Sequence, residues 1–177
     1  VLDLKVPRPQ ELAHGASLFA LLAHQWPTYV GYFTSFLTIL IMWLNHHRLF
    51  THIRKIDHTF LLLNGLLLLT VSTVPFPTSL VAAFMNHEGA HAASSVYSGL
   101  CILLAMAYNA LWRYGSTNGR LLAQEYDADA VESITRQYRF GPALYVVAFI
   151  VSFFNGYVSV LICMGLAVFF ALPPRKP

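Results

Sequence analysis

The sequence predicts an all-α protein, a polytopic bundle of membrane-crossing helices, and three observations carry that prediction. Only 11% of the 177 residues are charged, where a soluble domain carries about a quarter. Hydrophobic residues make up 56% of the chain, and its mean hydropathy is +0.56. The apolar residues also come in long blocks of the size that crosses a hydrocarbon core, roughly 20 residues per helix. Lipid is the solvent this composition requires. The net charge of +3 and pI near 9.0 do not point to nucleic acid, because lysine and arginine fall between the apolar blocks and form no single patch. Cys101 and Cys163 both lie inside apolar blocks, where a free thiol acts as a small hydrophobe.

Five spans follow in order. Residues 26–45 contain no charge, open on Trp26-Pro27 and end at His46-His47-Arg48, which gives the first complete span. Residues 59–85 form the second. Pro75-Phe76-Pro77 interrupts it, and the missing amide protons and ring clashes predict a bend near Val74. Residues 89–112 form the third, with Ser94, Ser95 and Ser98 on its early turns, small polar residues suited to close helix contact or to hydrogen bonds between helices. The apolar stretch from Phe140 to Leu172 would be about 50 Å long as one helix, well beyond a core of roughly 30 Å. Asn155-Gly156 is a turn dipeptide near its middle, so two short helices, 140–154 and 156–172, are expected as a hairpin. Between the third and fourth spans, 115–138 carries Glu125, Asp127, Asp129, Glu132, Arg120 and Arg136 together with Leu121, Leu122, Val131 and Ile134 at roughly helical spacing. It reads as a cytosolic amphipathic helix or linker.

Lysine and arginine are retained on the cytoplasmic side of short loops. With 26–45 running inward, Arg48, Arg54, Lys55, Arg113, Arg120, Arg136, Arg139, Arg175 and Lys176 fall inside, and Lys5 and Arg8 outside. The expected C-terminus is therefore cytosolic. Residues 1–25 then lie outside, which calls for a further helix ahead of them.

The chemistry-bearing cluster is Trp43-Leu44-Asn45-His46-His47-Arg48, at the inner end of the first complete span. As an interfacial belt, Trp43 would sit at the headgroups with the histidines hydrated. As a polar network, Asn45 and one of the two histidines would point into the bundle and position a neighbouring helix. His46 and His47, about 100° apart on a helix, do not easily face one metal ion. A neutral imidazole that accepts a hydrogen bond would lose it on protonation, which would make such a network acid-sensitive. His87-Glu88-Gly89-Ala90-His91 matches H-E-x-x-H, the pattern of a zinc hydrolase. Gly89 disfavours the helix that pattern needs, and no neighbouring span offers a third, acidic ligand. Asn64, Thr70, Ser72 and Thr73 on the second span, and Thr34 and Thr38 on the first, suit bonds to one another or to their own backbone. No Asp, Glu, Lys or Arg lies inside any block, so the charged relay of many pumps is missing. No T-V-G-Y-G-like loop joins two spans, which excludes the usual carbonyl-lined potassium filter.

Trp43-Leu44-Asn45-His46-His47-Arg48-Leu49-Phe50, then Arg54, Asp57, Asn64, Pro75-Phe76-Pro77-Thr78, Tyr97 and Leu172-Pro173-Pro174-Arg175-Lys176 resemble, in order and spacing, bacterial members of the transmembrane protein 175 family. The resemblance runs through nearly the whole chain, and its W-x-N-H-H and P-F-P-T elements are specific. It implies spans two to six of a six-helix subunit in a homotetrameric, potassium-permeable channel of the bacterial inner membrane. That channel needs no cofactor or catalysis, and its pore is lined by the first helix. The family's first-helix signature, an arginine followed shortly by Phe-Ser-Asp, does not occur in these residues. Residues 1–7 resemble only the outer end of that helix, so its pore-lining part is expected ahead of Val1. The resemblance further implies that Trp43, Asn45, His46 or His47, and Asn64 hydrogen-bond to that signature and hold the pore helix. Two rival readings remain at this point: a membrane zinc hydrolase centred on His87, Glu88 and His91, and a transporter or scaffold without a pore.

Overall fold

The structure, a computed structural model, describes residues 17–172; the expected outer end of the first helix, at 1–7, and the basic tail of Arg175 and Lys176 lie outside the described residues. A short helix, α1 (Leu18–His24), is capped by the Ser17 hydroxyl, which accepts from the Ala20 amide at 3.1 Å. The long α2 (Trp26–His52) follows, then α3 (His58–Ser72), α4 (Pro75–Phe84), α5 (Ala90–Ser116), α6 (Ala128–Ser152) and α7 (Gly156–Ala171). Among the described residues no strand forms, and one isolated bridge joins Ile53 to Leu122.

Local chemistry sets the boundaries. Asp57 starts α3 by accepting the Phe60 amide at 2.8 Å. Val74 and Pro75 divide α3 from α4 at the expected place, and the chain turns through hydrogen bonds from Phe76 N to Thr73 O and from Thr78 N to Val74 O. Asn118 and Gly119 take left-handed conformations, φ 56° and 65°, and stop α5. Asp127 caps α6 through the amides of Asp129 and Ala130, both at 3.1 Å. Asn155 caps α7 through Val158 N at 3.1 Å.

Two expected boundaries are corrected. α2 does not end at Asn45 but continues to His52, because nothing from His46 to His52 breaks a helix and the following Ile53 is extended. The fourth helix begins at Ala128, not at 140, and runs 25 residues without a break. Residues 128–138 are therefore its first turns, helical as one of the two readings of this stretch had it and continuous with the span, with Ile134 and Tyr138 buried on the same stripe as Gly141 and Tyr145. Asp127 is a strong cap, and a change from polar to apolar composition at Phe140 is no obstacle to a continuing helix.

α5 is the centre of the bundle. Ser94, Tyr97, Cys101, Leu104, Tyr108 and Leu111 are buried at alternating steps of three and four, one continuous face. Against it pack α3, α4, α6 and α7. α7 comes so close to α5 at its start that a Cβ on Gly156 would lie 2.9 Å from Ser94 Oγ and 3.1 Å from the Ala90 carbonyl oxygen. Outer faces are apolar as well: on α3, Phe60 and Leu67 are buried while Leu61, Leu62, Leu66 and Leu69 are exposed. A surface that apolar all round a helix requires a cover other than water. Two helical stretches, His58–Phe84 and Ala90–Gly119, are long and apolar enough to cross a membrane, and Gly156–Ala171 is a shorter apolar helix.

Candidate functional site

The end of the bundle where α2 finishes also holds the start of α3, the end of α5, the start of α6 and the end of α7. Steps of about 100° along α2 turn Asn45, His46 and His47 in three directions. Asn45 is buried and points inward, its Nδ2 donating to the Ile41 carbonyl of its own helix at 3.2 Å while its Oδ1 has no partner. His46 turns to α3, where its Nε2 lies 2.8 Å from Asn64 Oδ1. Phe50, one turn on, stacks against the His46 ring at 4.2 Å and reaches Phe60 of α3 at 5.4 Å. His47 turns outward and stacks on Trp43, with ring centroids 5.5 Å apart and planes 14° from parallel; Trp43 itself is 58% exposed.

The sequence candidates are thus divided into three groups. His46 and Asn64 meet, Trp43 and His47 form an outward aromatic pair, and Asn45 faces the interior. Which histidine joins the bundle, open in the sequence, is answered by His46. Because Asn64 Oδ1 can only accept, His46 Nε2 is the donor in this pair.

Sequence reasoning assigned no role to several of the residues that lock this end together. Arg48 donates to Gln137 Oε1 on α6 at 3.1 Å and to the Leu172 carbonyl after α7 at 3.3 Å, tying three helices. Burial holds its guanidinium below the usual arginine value. On α5, the Tyr108 hydroxyl donates to the Met42 carbonyl, Asn109 Nδ2 to the Tyr138 carbonyl at 2.8 Å, and Trp112 Nε1 to Thr135 Oγ1 at 2.9 Å. Their spacing on one helix face was the available signal. Tyr114 donates to Asp57 Oδ2 at 2.8 Å. The Phe60 amide first, then the Tyr114 hydroxyl and the charge of Arg120, hold the Asp57 carboxyl below the usual range.

The H-E-x-x-H match dissolves in the structure. α5 begins only at Ala90, so His87 and Glu88 stand in the preceding turn and the two histidines share no helical face. His91 Nδ1 lies 2.9 Å from the Ser152 carbonyl. Among the described residues no group of three His, Cys, Asp or Glu side chains is placed to hold a metal ion.

Residues 1–75 match the family model described as "Endosomal/lysosomal potassium channel TMEM175". A potassium channel of Chamaesiphon minutus is 46% identical over 172 residues, covering 97% of this chain and 84% of that protein. The chain belongs to the TMEM175 family. A second TMEM175 relative, a potassium channel of Streptomyces collinus, is 37% identical over 143 residues, 80% of this chain and 68% of its own length. The fold agrees with the crystal structure of a lysosomal potassium-selective channel TMEM175 homolog from Chamaesiphon minutus, with a TM-score of 0.75 and 42% identity across 98% of this chain and 87% of that one. The TMEM175 relationship agrees with the helical architecture of the described residues and gives the zinc-hydrolase reading no support.

Proposed function

We propose that this chain is a subunit of a potassium-permeable channel. The observation that carries the proposal is likeness over nearly the full chain, in sequence and in fold, to a protein named as a potassium channel. Between Trp26 and Leu172 the subunit crosses the membrane five times, along 26–45, 59–85, 89–112, the apolar part of α6 and 156–172. Its C-terminus is cytosolic, in a bacterial inner membrane, as the distribution of lysine and arginine favours. Four copies assemble around a pore lined by the helix that the family resemblance assigns to it. The protein catalyses no reaction and uses no cofactor; its partners are potassium ions, lipid and its own copies.

In this reading the Asn45 end of α2 supports the pore helix. The His46–Asn64 pair and the outward Trp43–His47 stack meet it, and Asn45 backs them from inside the bundle. An exposed tryptophan stacked on an exposed histidine supports this, since aromatic surface of that kind is characteristic of contacts. The test is potassium flux into liposomes containing the purified protein. Uptake well above that of empty vesicles is expected, and uptake equal to theirs would overturn the reading.

A further inference from the structure

Inside the bundle, a cavity of about 50 Å³ lies between α2, α5, α6 and α7. Tyr108, Tyr145, Leu104 and Phe170 are among the residues that line it, and so are Asn45 and Tyr138. Among the described residues three buried side-chain polar atoms lack a hydrogen-bond partner, and two of them, Asn45 Oδ1 and Tyr138 Oη, belong to this one cavity. Both residues are 6% exposed.

We propose that this cavity is a built site for one or two water molecules that bridge Asn45 of α2 to Tyr138 of α6. The chemistry is complementary. Asn45 spends its amide group on Ile41 and offers only an acceptor, while the Tyr138 hydroxyl can donate. Water accepts from the phenol and donates to the amide oxygen. Size agrees, since on this measure a cavity needs only about 10–15 Å³ to hold a water, which then needs at least two polar partners. The lining offers no carboxylate to a hard metal cation such as calcium, which takes six to eight oxygen ligands. An apolar guest would leave both polar atoms unpaired. The Tyr108 hydroxyl is already committed to the Met42 carbonyl, three residues before Asn45. The water would thus be a second fastening of α2, separate from the His46–Asn64 pair.

The test compares the purified protein with Tyr138→Phe, Asn45→Leu and the double variant, in thermal unfolding and in a map resolving ordered water. With a bridging water, each single change lowers Tm by roughly 2–4 °C, and the double variant loses less than the sum. Density within hydrogen-bond reach of both Asn45 and Tyr138 is present in the parent and gone in Tyr138→Phe. Tyr138→Phe removes one oxygen and leaves the ring, so it is informative even if Asn45→Leu does not assemble. A Tyr138→Phe protein as stable as its parent, or more so, would overturn the proposal, since deleting an idle buried hydroxyl costs nothing. So would a map in which Tyr138 bonds directly to Asn45 or a hydrocarbon chain fills the space.

Discussion

At the Ser94 end of α5 the polar side chains are closed on one another. Ser95 and Ser152 meet across α5 and α6 at 2.7 Å, Ser159 bonds the Ala148 carbonyl at 2.7 Å, and Ser94 and Ser98 bond carbonyls one turn back on α5. At the opposite end, where α2 finishes, polarity is left over: Trp43 and His47 face outward and Asn45 Oδ1 has no partner among the described residues. The difference separates two uses of polar residues in a helical bundle. Small hydroxyls satisfied locally permit close packing, whereas at the α2 end Trp43 and His47 are turned outward and Asn45 faces an internal cavity.

The largest expected effect tests the packed end. Gly156→Leu places a side chain where even a Cβ lies 3.1 Å from the Ala90 backbone oxygen, and that atom cannot step aside. A loss of about 2–3 kcal/mol is expected, read as a lower Tm of the purified protein; an unchanged Tm would mean that the two helices do not approach so closely. Next, His46→Ala removes the bond to half-buried Asn64 and the stack on Phe50, an expected loss of about 1–2 kcal/mol. His58→Ala, on an exposed residue, should stay within about 0.5 kcal/mol. If both variants melt together, the His46 pair is an idle surface contact. Ser95→Ala should cost about 0.6 kcal/mol, the average for a hydrogen bond between membrane helices, so a larger loss would mean that the serine end is held by polarity more than by packing.

The smallest effect concerns Asp57. Its folded pKa is depressed, first by the Phe60 amide, so its contribution is complete above the ordinary aspartate value near 3.9 and is lost as pH falls through the lower, folded value. The Tm of the protein should fall on acidification through that window, and Asp57→Asn should flatten that part of the curve. A curve of the same shape in both proteins would show that the cap does not titrate with folding.

The helices were legible because their causes are local. Apolar length, the proline pair at 75 and 77, and Asn155-Gly156 each act within a few residues. The start of α6 was not, since Asp127 is a cap of ordinary appearance inside an acidic stretch. The candidate site was named in the sequence as a set of residues, Trp43, Asn45, His46, His47 and Asn64, without their arrangement. Three consecutive residues on a helix diverge by about 100° each, and which one meets α3 depends on how α2 is rotated by Tyr108 and Arg48, contacts 66 and 89 residues away in sequence. No local pattern carries that rotation.

The comparison between the two ends is tested most directly by potassium flux in liposomes containing equal amounts of assembled protein. The parent should take up potassium well above empty vesicles. Asn45→Ala, His46→Ala and Asn64→Ala should lower uptake several-fold, while Ser95→Ala leaves it unchanged. Flux equal in all four variants would contradict the assignment of the α2 end to the pore, and flux lost in Ser95→Ala alone would reverse it.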